Sequence, residues 1–305
     1  MLKTTFASLA AVAAVIATPA AARTLDPAVG ADALEISKRM QCGVADGETA
    51  VYSWEGAIYS RVRGEKDRHL FNGVGMNIRR CVSVDDPQRG KGYRLISREV
   101  MLYLDPETNE VLKTWENPWT GETVDVVHID NDPVNQRPQF PITTSGEAYS
   151  LGNMRIWNDW ALMRSEIPLW YKNPLAGDYE KYIGGTYHSM EIFDFSAKAS
   201  ELLDTRYPTA YPVISWVRLS EWMPWMEMNG RNGTIVFNAM GTKLRGGFDD
   251  LPDVLKREIA ANYPKYTDAP PANDTRPNET TWTVFKDYID AKREAEGATA
   301  KPTGH

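Results

Sequence analysis

Polar and apolar positions alternate with a period of two in the segment from Tyr93 to Asn135, and turn residues break the alternation at short intervals. That pattern predicts half-buried strands rather than helices, whose apolar positions recur every three to four residues. Strands are expected near 50–62, 70–84, 92–104, 110–117, 122–129, 153–166, 186–196, 212–223 and 234–244. DPETNE and NPWTGE, inside the segment from Tyr93 to Asn135, carry the Pro, Asn and Gly that tight hairpin turns need. No helix of βαβ length separates neighbouring strands, so the expectation is one antiparallel meander, mainly β. Such a run must hide its edges, and closure into a calycin- or lipocalin-like barrel does this within one chain. An open sandwich is the alternative architecture.

Helical spacing appears only near the ends. Leu34, Ile36 and Met40 lie in a short helix expected from Pro27 to Met40, and Val254, Leu255 and Ile259 in one from Asp253 to Asn262. After the Pro-rich strap 267–281, Trp282, Phe285 and Ile289 form an i, i+3, i+7 stripe expected to dock on the barrel. Two stretches are candidate covers: Asn131 to Tyr149 with its three prolines, and 169–185 with Gly184-Gly185.

The first 22 residues read as a signal peptide: Lys3, an apolar run from Phe6 to Ile16, and Ala20-Ala21-Ala22 before an expected cut after Ala22. The run is short of the roughly 20 residues that span a bilayer. The organisation expected is therefore a signal peptide over 1–22, one barrel domain with terminal helices over 23–290, and a disordered tail over 291–305. A periplasmic or secreted mature chain without membrane insertion follows. Its two cysteines, Cys42 and Cys81, would then meet an oxidising compartment, where a disulfide competes with the reading of two separate thiols. The net charge is −7 and no basic run is present, which excludes nucleic acid as a natural partner.

Common catalytic signatures are missing: there is no GxSxG elbow, no phosphate loop and no HExxH. GVGMNI at 73–78 lacks the third glycine of a dinucleotide fingerprint, so no cofactor is expected. DNDPVN at 130–135 lacks the glycine and the bidentate Glu of a calcium loop, and no cysteine–histidine zinc spacing exists, so no metal is expected either.

What remains is acid–base chemistry by side chains. His128 follows strand-forming valines and precedes Asp130 and Asp132, an arrangement suited to a general acid or base with a carboxylate orienting it; the competing reading is a core histidine bonded to backbone. Arg98 alternates with Ile96, Val100 and Leu102 and needs a partner if buried, either in a structural ion pair or as a polarising group in a cavity. Tyr103 is a candidate to share proton transfer. With 10 Trp, 14 Tyr and 8 Phe, most rings must be core, but a subset is expected to line a ligand cavity: Trp115, Trp157, Trp160, Trp216, Trp222 and Tyr187, with His188, Asn77 and Arg79 beside them.

Four strings, FNGVGMNIRR, REVMLYLDPETNEVLKTWENPWTGETVDVVHIDNDPVN, SEWMPWMEMNGRNGTIVFNAMGTKL and TWTVFKDYI, together resemble the bacterial and fungal domain-of-unknown-function family 1838, DUF1838. The resemblance covers nearly the whole mature chain and implies a single module behind an export signal, with no activity or site residue attached. The function expected from the residues is an exported, cofactor-independent enzyme of lyase, isomerase, hydratase or cyclase type, acting on a small apolar or aromatic molecule inside the barrel. The alternative is a periplasmic carrier for such a ligand.

Overall fold

The computed structural model describes residues 22–152, 154–228 and 230–299. The expected signal segment lies outside the described residues except for its last one.

The fold is mainly β and antiparallel. Strands β1 (Thr49–Arg61), β2 (Arg68–Asp86) and β3 (Gly90–Leu104) form one meander. Gly90, at φ +86°, takes the left-handed conformation that the tight β2–β3 turn requires. The expected strands at 110–117 and 122–129 contract to β4 (Thr114–Glu116) and β5 (Thr123–Asp125), which pair only with each other; β6 (Ile129–Asn131) then joins β3. A second meander comprises β7 (Arg155–Trp157), β8 (Trp160–Lys172), β9 (Thr186–Lys198), β10 (Val213–Ser220) and β11 (Thr234–Lys243). Among the described residues four α-helices flank the strands: α1 (Gly30–Gln41), α2 (Ala199–Leu202), α3 (Asp253–Asn262) and α4 (Thr281–Thr299).

The strand order is β6-β3-β2-β1-β11-β10-β9-β8-β7, so the expected single meander is two meanders welded where the first long strand meets the last. That seam runs from Tyr52↔Lys243 to Arg61↔Thr234. Nor do hydrogen bonds close the sheet into a barrel, because its end strands β6 and β7 do not pair. The chain between them takes another course. Val134 N–H donates to Ser97 O (2.8 Å), Gln136 N–H to Leu95 O (2.9 Å), and Gln139 exchanges two bonds with Tyr93 (2.9 and 3.0 Å). The proline-rich stretch expected to cover one end of a barrel thus satisfies the outer edge of β3 instead; its prolines have no N–H to extend a regular ladder.

The sheet is nonetheless curled. Laid flat, β3 and β9 would stand about 24 Å apart at roughly 4.8 Å per strand step, yet Glu99 on β3 and Glu191 on β9 line one cavity and influence each other electrostatically. Helix α4 fills the gap between the two margins. It packs on β6, sets Trp282 edge-on against Tyr187 of β9 (ring centroids 4.1 Å) and Phe285 against Tyr182 (5.0 Å). The predicted stripe Trp282, Phe285 and Ile289 is buried. The helix also runs to Thr299, through much of the tail expected to be disordered from 291, because DAKREAEGA is rich in helix formers and Arg293 reaches Asp290 at 3.9 Å.

Both faces of the first meander are covered. Ile58, Phe71, Met101 and Tyr103 point to the inner face with Trp216 and Phe237; Val74, Met76, Val100 and Leu102 point outward beneath Leu255 and Ile259 of α3 and Tyr266. Cys42, just after α1, is joined to Cys81 of β2 by a disulfide with Cα atoms 5.7 Å apart, in a cluster with Leu34, Tyr93 and Leu95. Closing a loop of 39 residues stabilises the fold by about 3–4 kcal/mol in the chain-entropy account.

Candidate functional site

A cavity of about 660 Å³ lies between the inner face and the N-terminal turn of α4. Its walls are largely apolar: Trp54, Phe193, Trp216 and Trp282 line it, with Leu169 and Leu175 contributed by the segment 169–185 that the sequence marks as a cover. Glycine makes part of this wall possible. A Cβ on Gly75 would meet the Trp54 ring at 2.6 Å, so the glycines of GVGMN give the indole room to lie across β2 rather than binding a phosphate.

A polar row crosses this aromatic surface. Register pairs Tyr52 with Asn77, Asn77 with Glu99, and Glu99 with Asn131, which puts one residue from each of β1, β2, β3 and β6 side by side on the inner face. Arg79, two residues beyond Asn77, shares that face. Asn131 Nδ2 donates to Glu99 Oε1 at 2.8 Å. Burial, reinforced by Glu191, pushes the Glu99 carboxyl above the usual range, against Asn131, Arg79 and Arg218, which favour its ionised form.

The two arginines differ in how their charge is met. On β10, Arg218 donates from Nη2 to the Tyr187 hydroxyl at 2.7 Å and lies 3.4 Å from Glu191 Oε1; Tyr187 and Ser220 exchange a hydroxyl bond of 2.7 Å. Burial opposes the Arg218 charge, yet Tyr187 and Glu191 hold its pKa above the ordinary value. Arg79 donates from Nε to Asn77 Oδ1 (2.7 Å) and from Nη1 to Gln41 Oε1, with its guanidinium 4.5 Å over the Tyr52 ring. Among the described residues no carboxylate pairs with it, and burial lowers its pKa. Four polar atoms of the lining residues, Trp54 Nε1, Trp216 Nε1, Asn131 Oδ1 and Arg218 Nε, make no hydrogen bond among the described residues.

Of the residues singled out from the sequence, Asn77, Arg79, Tyr187 and Trp216 line the cavity. The rest lie elsewhere. His128 sits behind Tyr103: its Nδ1 accepts the Tyr103 N–H at 3.1 Å, the rings stack at 6.0 Å, and burial lowers its pKa to about 4. The strand expected to point it inward ends at Asp125, so the alternation that linked it to Val124 and Val126 breaks before reaching it. Tyr103 is enclosed by Phe71, Trp225 and Phe237, with burial pushing its hydroxyl up to about 12; Trp115 belongs to the same cluster.

Arg98 faces the outer side, where it pairs with Asp132 at 3.2 Å; Asp132 also meets Arg276 at 3.0 Å and Lys265 at 3.4 Å. This is the structural ion-pair reading of Arg98. Asp130 is half-buried nearby, and burial raises it to about 6. Trp222 is buried and donates to Arg231 O at 2.9 Å. Trp157, Trp160 and His188 are exposed, Trp157 by 70%. Sequence reasoning missed Glu99 as a cavity group together with Arg218 and Glu191. Glu99 was visible as a polar strand residue alternating with Met101 and Tyr103, and only the choice of face hid it. No group of three His, Cys, Asp or Glu side chains suited to a metal ion occurs among the described residues.

No curated protein matches the chain. Among solved structures, the crystal structure of Ail, the attachment invasion locus protein of Yersinia pestis, aligns over 65% of this chain and 98% of its own at 6% identity, with a TM-score of 0.21. A similarity that weak supports no inference about fold or function. The family described as "Protein of unknown function (DUF1838)" matches residues 47–289, from just before β1 into α4, and the chain belongs to that family.

Proposed function

We propose that the protein takes a small, mainly apolar or aromatic molecule into the cavity between sheet and α4 and acts on it by acid–base chemistry, with Glu99 carrying the proton. The observation behind this is the Glu99 carboxyl in a mainly apolar cavity, its pKa raised by burial; of the other two lining carboxylates, Glu191 is paired with Arg218 and Glu279 accepts the Asp132 N–H. A carboxyl whose pKa is raised above the usual range can both take and return a proton, the property that lyase, isomerase, hydratase or cyclase chemistry needs. Arg218, fixed by Glu191 and Tyr187, is the group best placed to stabilise negative charge developing on the substrate. The Cys42–Cys81 disulfide supports an exported protein, because such bonds persist in oxidising compartments.

The second reading, a carrier that performs no chemistry, draws support from the predominance of aromatic and aliphatic lining and from the position of His128 outside it. Mass spectrometry of the purified native protein for bound small molecules, then incubation of each hit with wild type and Glu99→Gln, separates the two. Conversion by wild type and a loss of roughly 100-fold or more in kcat for Glu99→Gln, with binding retained, is the expected result. Equal turnover by both proteins removes Glu99 from the chemistry. Retention without conversion by wild type establishes the carrier.

A further inference from the structure

We infer that the cavity selects an apolar or aromatic molecule bearing an acidic group, a carboxylate or sulfonate, and that Arg79 receives that anion. The inference rests on the cavity being a ligand site and adds the chemical class of the ligand.

Charge is unevenly met along the cavity. At the β9–β10 end, the Arg218 guanidinium has Glu191 at 3.4 Å and the Tyr187 hydroxyl at 2.7 Å. At the β1–β2 end, Arg79 has only neutral partners: the Asn77 and Gln41 side-chain oxygens and the Tyr52 ring. Its Nη2 makes no hydrogen bond among the described residues, and the side chain is half-buried where it lines the cavity.

A second basic group, Lys243, stands behind that end, its pKa lowered by burial to about 7. Lys243, opposite Tyr52 in the β1–β11 register, is buried and spends its donors on Arg39 O (2.8 Å), Cys42 O (2.7 Å) and Thr209 Oγ1 (2.5 Å), with no carboxylate in ion-pair contact among the described residues. Arg79 and Lys243 repel each other electrostatically; Glu48 partly offsets the lysine and Glu99 the arginine. A half-buried guanidinium without an ion-pair partner is costly, and an anion entering from the cavity would pair with it by charge-assisted hydrogen bonds. Glu99 lies diagonally across from Arg79 in the β2–β3 register, a separation of about 7–8 Å between such positions. An acid anchored at Arg79 would therefore present the atoms next to its acidic group to Glu99, while its apolar body lies along Trp54, Trp216 and Trp282.

A matched dye pair tests this on the intact protein. 8-Anilino-1-naphthalenesulfonate carries the anion, and N-phenyl-1-naphthylamine has the same ring system without it. Fluorescence titration of wild type is expected to give at least roughly 10-fold tighter binding of the sulfonate, the value of one or two charge-assisted hydrogen bonds. Arg79→Gln should lose about that factor for the sulfonate alone, and Arg79→Lys should recover part of it. Equal affinity of wild type for both dyes overturns the anion site while leaving the apolar cavity standing, and this comparison decides even where a variant does not fold. Failure of wild type to bind either dye defeats the cavity reading itself.

Discussion

His128 shows how burial converts a candidate catalyst into a scaffold group. Its Nδ1 accepts a backbone N–H, so the ring must stay neutral at that nitrogen, and a proton there would break the bond to Tyr103. Burial sets its folded pKa at about 4, below the 6.5 of a free imidazole. Between those values the unfolded chain holds a proton that the folded chain refuses, so stability is complete above pH 6.5 and falls as pH drops towards 4. The decline attributable to this residue is up to about 3 kcal/mol. Urea unfolding of wild type and His128→Gln at pH 7 and pH 4.5 is expected to show a smaller acid-induced loss in the variant, whatever its stability at neutral pH. Equal losses in the two proteins would remove His128 as a source of acid sensitivity.

The same scale exposes why Arg98 and Glu99 exchanged places relative to expectation. They are neighbours in sequence and point to opposite faces of β3. Alternation reveals that they are on opposite faces but not which face is inward, and β3 is buried on both sides, beneath α3 on one and around the cavity on the other. An apolar row of Ile96, Val100 and Leu102 therefore looked like the interior of a barrel, whereas Val100 and Leu102 are the floor under α3.

Among the elements, α4 does what strand pairing was expected to do. It bridges β6 and β9, and Trp282 is both part of its packing stripe and part of the cavity wall. Trp282→Ala should cost about 3–5 kcal/mol, as removal of a buried indole does, and should weaken either naphthalene dye by at least roughly 10-fold. Chemical denaturation and the same fluorescence titration check the two effects. Full dye affinity in a destabilised variant would mean that α4 braces the sheet without shaping the cavity. The stripe was readable from spacing alone, since i, i+3, i+7 positions of any helix share a face; its destination was not. The short strands β4 and β5 were harder still. Their turn residues are plain in NPWTGE, but pairing with one another rather than with the main sheet depends on where the flanking chain is held.

For the molecule as a whole, the weld between β1 and β11 puts the ends of the folded chain's strand sequence at the centre of the sheet and mid-chain segments at its margins. Stability should follow that geometry. β1 and β11 have neighbours on both sides along most of their length, whereas β8 is mostly exposed and has only the short β7 beyond it. Native-state hydrogen exchange is expected to show amides of the β1–β11 ladder protected at least roughly 100-fold more than those of residues 163–172 in β8. Uniform protection across the sheet would show that the two meanders open as a single unit.

The antiparallel strands, their turns, the helix Asp253–Asn262 and the α4 stripe were present in the amino-acid order, because each depends on a period or on a residue's own backbone preference within a few positions. The cysteines were readable as a possible pair, and folding brought them within bonding distance. Which strand lies beside which, and which face of a doubly buried strand looks inward, came only from contacts between residues far apart in the chain. Glu99 illustrates the division: its place on a strand follows from its neighbours, while its environment is made by Asn131, Glu191 and Arg218, residues 32 to 119 positions away. Side-chain alternation carries no information about such distant partners, because it is the same whichever face they occupy.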